Sequence, residues 1–382
     1  MTLEAPRPDV ERGRARALAL SWFAYASYYL GRKNFSVVKS AVARELGLSV
    51  DALAWIDTAY LSAYALGQLP SGIAIDRFHS RRIVSLGLVV SALACALFGS
   101  ANSAAVLAGG FMLNGLAQST GWPGTTKIVM GWTSETTRGR VMGLWSTCYQ
   151  AGGIVATALA TWLLAHYGWR AAFRVPAVWL LIAALAIALL LPTHRVQREV
   201  TQPSEHHWRI VLRMPVLYGY GACYFCIKLI RYSLLFWLPY YLHTSAGFAE
   251  SASGYMSTAL EVGGVIGSVA VGYASDRFAR ANVAAIALLG LAVTLLAYAA
   301  IPSNSSLWHV IALALIGMLL FGPDALVSGA ATQDVAGSAA AATAVGFVYG
   351  LGSLGALLQG ALTVGVQRAF GWNGVFYTFV AL

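Results

Sequence analysis

Gly72-Ile-Ala-Ile-Asp76-Arg77 and Gly272-Tyr-Ala-Ser-Asp276-Arg277 are one pattern, Gly-x-x-x-Asp-Arg, written twice at an offset of 200 residues, from 72 to 272. Each copy closes a long apolar run. Gly168-Trp169 likewise returns as Gly371-Trp372, an offset of 203 from 168 to 371. Six apolar segments separate each pair of copies, so the chain reads as two halves in the same orientation. Such a parallel repeat is related by an axis along the membrane normal and brings a substrate site to mid-depth between its halves.

The composition supports a membrane setting. Of 382 residues, 58% are hydrophobic and 10% charged, against about 25% charged in soluble domains. The mean hydropathy is +0.66. Apolar runs predict helices at about 17–38, 52–75, 83–100, 104–130, 140–165, 171–191, 215–242, 252–274, 282–301, 307–330, 337–368 and from 373 onward. The expected architecture is an all-α membrane protein of two six-helix bundles. Residues 1–16 form a cytoplasmic tail, 17–191 the first bundle, 192–214 a cytoplasmic linker and 215–382 the second bundle, whose last helix is cut short at Leu382.

Basic residues set the orientation. Arg7, Arg12, Arg14 and Arg16 lie in the tail; Arg77, Arg81, Arg82, Arg138 and Arg140 follow in loops of one side; Arg195, Arg198, Arg209, Arg213, Arg277 and Arg280 continue the series. The opposite loops are nearly bare, which puts both termini in the cytoplasm. The net charge of +10 therefore reads as a topology determinant, and nucleic-acid binding is excluded. Met1 to Arg16 has no secretory-signal core. Cys95, Cys148, Cys223 and Cys226 all sit in apolar runs, so no disulfide framework or redox pair is indicated. His206-His207 lacks further ligands at metal spacing. Gly350-x-Gly352-x-x-Gly355 spells a dinucleotide pattern but follows a membrane helix instead of a strand. No cofactor, metal or enzymatic constellation is expected.

One stretch carries charge into the membrane. In Tyr25-Ala-Ser-Tyr-Tyr-Leu-Gly-Arg-Lys-Asn-Phe35, residues Tyr25, Tyr29 and Arg32 fall at i, i+4 and i+7, on one helix face. A cation at helix-centre depth costs about 2.5–3.5 kcal/mol on insertion scales, which by default marks a ligand or pathway site; snorkelling of Arg32 and Lys33 to headgroups is the alternative. The repeat decides between them. Adding the 200-residue offset to Arg32 lands one residue from Arg231, well inside the run Leu217 to Leu242. Two opposed guanidiniums repel unless an anion lies between them, and their planar forks match phosphate or carboxylate oxygens. A phosphate dianion can engage both forks, which favours it over a monocarboxylate.

These residues also carry a resemblance. The two Gly-x-x-x-Asp-Arg loops resemble the signature of the major facilitator superfamily. Tyr28-Tyr-Leu-Gly-Arg-Lys-Asn-Phe35, Gly121-Trp-Pro123, Trp132, Arg138-Gly139, Trp145 and Gly152-Gly153 resemble the organophosphate:phosphate antiporter family. Tyr255 to Gly264 and Gly115-Leu-Ala-Gln118 are similar to its glucose-6-phosphate translocase branch. The resemblance implies a major facilitator fold, Arg32 and Arg231 as substrate-phosphate residues, and Tyr25, Tyr29 and Tyr64 as cavity phenols. Gln68 and Tyr149 depart from the lysine and histidine of glycerol-phosphate members, and Lys228, one turn before Arg231, is a candidate replacement charge. Glu261 and Asp324 are intramembrane acids expected to pair, gate or couple a proton, with capping of a break at Gly322-Pro323 the plainer role for Asp324. Gly72, Asp76, Arg77, Gly272, Asp276 and Arg277 are expected to form cytoplasmic gating loops. Gly346, Gly350, Gly352, Gly355 and Gly360 suggest close helix packing.

The expected function is a multi-pass transporter of a bacterial inner membrane, monomeric in the lipid bilayer, that exchanges a sugar phosphate or glycerol phosphate for inorganic phosphate. A membrane sugar-phosphate sensor and a proton-coupled symporter of an organic anion are the alternatives.

Overall fold

The computed structural model describes residues 8–133, 141, 144–192, 211–275, 277–302 and 305–382. All regular structure among them is helical: α1 (Pro8–Arg32), α2 (Asn34–Leu46), α3 (Val50–Phe78), α4 (Ser80–Phe98), α5 (Ala104–Gln118), α6 (Gly121–Gly131), α7 (Thr147–Tyr167), α8 (Ala171–Leu190), α9 (Pro215–Thr244), α10 (Glu250–Ser275), α11 (Arg280–Ala299), α12 (Ser306–Leu326) and α13 (Thr332–Ala381). Among the described residues, eight helices are long and apolar enough to cross a membrane. The chain is an integral, multi-pass membrane protein.

The helices depart from the periodicity reading in four places. The first span, read as one helix over 17–38, begins earlier at Pro8 and breaks at Lys33 between α1 and α2. The span read over 104–130 divides into α5 and α6, where Ser119 and Thr120 turn their hydroxyls onto Leu116 O (2.7 Å) and Ala117 O (2.8 Å). Such back-bonding competes with the helical ladder, and Pro123 then falls in the first turn of α6, where a missing N–H costs nothing. No break occurs at Gly322-Pro323: α12 runs through the proline and the irregularity comes later, as a π-turn over Val327–Ala331. Ser328 and Thr332 steady it by donating to Asp324 O and Val327 O, both at 2.6 Å. The two spans expected at the C-terminus join as α13, within which Gly371 takes φ 69°. That left-handed geometry suits glycine and turns the chain.

The chain forms two compact units. Unit 1 comprises Met1–Asn34 and Ala59–Glu199; unit 2 comprises Phe35–Thr58 and Val200–Leu382. In unit 1, α1 packs on α7 and α8, and α4 packs on α5 and α8. A core of Tyr25, Tyr28, Val84, Leu88, Trp145 and Leu180 forms between these helices. In unit 2, α9 packs on α13, and α10 and α11 pack on α12. The segment 35–58 belongs to unit 2 through ion pairs from Arg44 to Glu250 and from Arg368 to Asp51, both at 2.6 Å. It is also held by Lys39, which donates to Phe236 O at 2.8 Å.

The repeat is legible inside each unit. A Cβ at Gly115 would strike the carbonyl of Tyr60, and one at Gly317 that of Leu260. A Cβ at Gly152 would strike the backbone of Ala26, and one at Gly355 that of Phe225. Positions 60 and 260, and 26 and 225, are repeat mates, so each unit brings the same pair of helix backbones together through a glycine. Gly352 and Gly355 bear out close packing along α13, against Tyr224 and Phe225, and Gly360 lies near Ala54 and Thr58. Gly346 and Gly350 face open space instead.

Gly263 and Gly267 on α10 form a Gly-x-x-x-Gly stripe whose absent Cβ atoms admit the carbonyls of Ala314 and Met318. Gly263→Val should lower stability by about 1–3 kcal/mol, the usual penalty for overpacking, read as a lower melting temperature in detergent. Gly109→Ala, whose Cβ would meet nothing within 4 Å, should leave it unchanged or raise it.

Candidate substrate site

Arg32 is the last residue of α1, placed by helical spacing one turn beyond Tyr29. Only 3% of it is exposed, which rules out the snorkelling alternative. Its guanidinium carbon lies 4.9 Å from the ring centre of Tyr29, 5.0 Å from that of Tyr64 and 5.8 Å from that of Tyr60. Three phenol faces thus surround one permanent cation, each contributing roughly 0.5–2 kcal/mol of cation–π attraction. The Arg32 Nε donates to Gln118 Oε1 at 3.1 Å. Among the described residues, Arg32 has no carboxylate partner.

The other phenols have different surroundings. The Tyr25 ring packs against Trp122 at 5.2 Å, Trp145 at 6.0 Å and Tyr29 at 6.0 Å. Tyr149, half-buried on α7, packs against the same core. The side chain of Gln68 lies outside the described residues, as do those of Gly72, Asp76 and Arg77 and all of Asp276. His206 and His207 lie outside them as well. Gly272 and Arg277 are described: Gly272 faces open space, and the exposed Arg277 donates to Tyr273 OH at 2.5 Å. No metal-binding cluster occurs among the described residues, and all four cysteines are free thiols.

Unit 2 carries its own cationic group. Arg231 on α9 pairs with Asp324 on α12, Nη1 to Oδ2 at 2.7 Å, and its guanidinium lies 4.5 Å from the Phe321 ring centre. The expectation that Asp324 caps a broken helix is therefore corrected: α12 is unbroken there, and the carboxylate neutralises an arginine. One turn before Arg231, Lys228 is 5% exposed. Its ammonium sits 4.5 Å from Tyr349, 5.2 Å from Tyr232 and 5.3 Å from Tyr224. Gly352 makes room for that cage, since a Cβ there would press on the Tyr224 ring and lie 3.2 Å from Lys228 Cγ. Among the described residues Lys228 has no ion pair. Glu261 is buried on α10.

Sequence reasoning missed two features. Tyr60 and Gln118 complete the surroundings of Arg32, yet Gln118 had entered only as part of a family motif; an amide on a membrane helix is itself a polar signal. The second is a fully buried pair, Lys39 with Asp57, both 0% exposed, capped by the Trp237 ring at 3.8 Å from the ammonium. Asp57 lies inside the run read as the helix over 52–75 and could have been flagged as an intramembrane acid.

The sequence model described as Major Facilitator Superfamily matches residues 21–360. A protein named sugar phosphate exchanger 3, from Mus musculus, is 30% identical over 95% of this chain and 89% of its own length. A putative glycerol-3-phosphate transporter 5 from Arabidopsis thaliana is 28% identical over 99% of this chain and 90% of its own. A glucose-6-phosphate exchanger from Mus musculus is 28% identical over 96% of this chain and 89% of its own. Among solved structures, a bacterial homolog of the human lysosomal transporter Spinster superposes with a TM-score of 0.76. The superposition covers 98% of this chain and 87% of that one at 19% identity, a likeness of fold.

The Arg231–Asp324 pair is 11% and 6% exposed at its side chains. Removing one partner of such a pair strands the other, at a cost of about 3–5 kcal/mol. Asp324→Ala should therefore lower the melting temperature in detergent sharply, and adding Arg231→Met should recover most of the loss. Additive losses in the double variant would show that the pair does not couple.

Proposed function

Because the chain belongs to the major facilitator superfamily and, within it, to the organophosphate:phosphate antiporter family, we propose that it is a secondary transporter exchanging a sugar phosphate or glycerol phosphate for inorganic phosphate by alternating access. The observation that carries this reading is the Arg32 guanidinium: permanently charged, 3% exposed and without a carboxylate partner among the described residues. A buried cation requires compensation, and a phosphoryl group supplies it with the oxygen geometry that a guanidinium fork matches.

In this reading Arg32 in unit 1 and Arg231 in unit 2 are each phosphoryl-binding residues, and Asp324 holds Arg231 neutralised when no anion is bound. Lys228, the tyrosines Tyr25, Tyr29, Tyr64 and Tyr149, and Gln68 shape the remainder of the site, with Glu261 a further intramembrane partner. Exchange in place of net transport follows from the same charge: an empty site holding the uncompensated Arg32 reorients slowly, and either phosphate species lowers that barrier. The relatives are named exchangers and transporters, which supports transport over sensing. The proposed setting is a bacterial inner membrane, with both termini cytoplasmic and the protein monomeric.

Lysine keeps the charge but not the planar fork. Purified Arg32→Lys and Arg231→Lys proteins in phosphate-loaded proteoliposomes should each lose radiolabelled phosphate counterflow by about tenfold or more, a loss equivalent to one charged hydrogen bond. Counterflow at the unsubstituted rate in both variants would overturn the reading.

A further inference from the structure

The acceptor on Arg32 is itself fixed by a chain of hydrogen bonds. Gln118 Oε1 accepts from Arg32 Nε at 3.1 Å and from Tyr60 OH at 3.0 Å. The same amide's Nε2 donates to Tyr28 O at 3.0 Å and to Asn114 Oδ1 at 3.1 Å. Asn114 Nδ2 in turn donates to Gly31 O at 2.7 Å, and Asn114 Oδ1 also accepts from Ser91 Oγ at 2.5 Å. The orientation of the Gln118 amide is not interchangeable. Turned over, it would set NH2 against the N–H of Arg32 and the carbonyl oxygen against two acceptors. Gln118 and Asn114 are both 1% exposed, so the network is shielded from bulk solvent and every hydrogen bond in it carries weight.

The placement along α1 matters as much as the bonding. Gly31 is the penultimate residue of α1, and the last carbonyls of a helix lose their intrahelical partners. Asn114 takes the Gly31 carbonyl, and the absent side chain of Gly31 lets the amides approach: a Cβ there would lie 3.3 Å from Gln118 Nε2 and 3.0 Å from Cys95 Sγ. One face of the Gln118 amide thus anchors the helix end while the other faces the cation that the end presents. With Nε engaged, rotation of the guanidinium plane is restrained, and among the described residues the two terminal nitrogens are left without a hydrogen-bond partner.

We propose that Gln118 is a positioning residue for substrate: it orients the Arg32 guanidinium so that the terminal fork is set before the anion arrives, and so raises the affinity for the phosphoryl group. This inference rests on the assignment of Arg32 to that group. Preorganisation of this kind acts on affinity, because a side chain already ordered loses less freedom on binding. A residue that merely held α1 in place would act on stability and turnover instead.

The test uses the full chain in proteoliposomes, with inorganic phosphate as the probe. KM and Vmax of phosphate counterflow and the ligand-free melting temperature in detergent are measured for Gln118→Met, which keeps length and removes the acceptor. Tyr60→Phe removes the second hydrogen bond onto Gln118 Oε1 while keeping the ring beside Arg32, and keeps the test informative if Gln118→Met does not fold. Gln118→Met should raise KM about tenfold with Vmax within about twofold, and Tyr60→Phe should raise KM roughly threefold. An unchanged KM in both variants, or a fall in Vmax and melting temperature at constant KM, overturns the inference while leaving the role of Arg32 standing. Arg32→Lys run alongside separates the two: its retention of the unsubstituted KM would overturn the assignment beneath.

Discussion

A permanent positive charge buried near the end of a membrane helix is the constraint around which unit 1 is arranged. The guanidinium of Arg32 cannot shed its proton, and transfer into an apolar interior is unfavourable unless partners compensate it. Three tyrosine faces and one amide oxygen supply that compensation. None of them carries a full negative charge. The compensation by the described residues is therefore incomplete, and under the proposed function an anion is the partner that completes it.

Unit 2 solves the same problem differently. Arg231 has a carboxylate, Asp324, at 2.7 Å, and Lys228 has only ring faces among the described residues. The repeat has preserved backbone contacts, with glycines admitting the same helix pairs in each unit, while the chemistry placed on that scaffold has diverged. An arginine with an internal counter-ion and one without it respond unequally to an arriving anion: the first must exchange one partner for another, the second only gains one. Under the proposed function, that asymmetry would give the substrate a stronger claim on Arg32 and make the Asp324 carboxylate a competitor for Arg231.

The sequence made the helices, the parallel repeat and the two arginines legible, because apolar runs of about 20 residues and a motif repeated at 200 leave few other readings. The breaks were harder. The Ser119-Thr120 turn interrupts a helix by side-chain hydrogen bonds to backbone carbonyls three residues back, a local effect that hydropathy does not register. The network on Arg32 was hidden for a different reason: Gln118 and Tyr60 lie 86 and 28 positions away in sequence and meet the arginine only after α1, α3 and α5 have packed. Asp324 was visible as a charge out of place, but its partner was not, since Arg231 and Asp324 sit on helices 93 residues apart.

A structure of the protein determined with inorganic phosphate or a sugar phosphate bound would test the central claim most directly. The account predicts phosphoryl oxygens about 2.7–2.9 Å from the terminal nitrogens of Arg32, the length of a charge-assisted hydrogen bond, with the Nε contact to Gln118 retained. A well-ordered phosphoryl group held elsewhere, with Arg32 still bonded to Gln118 and bare of any anion, would contradict it.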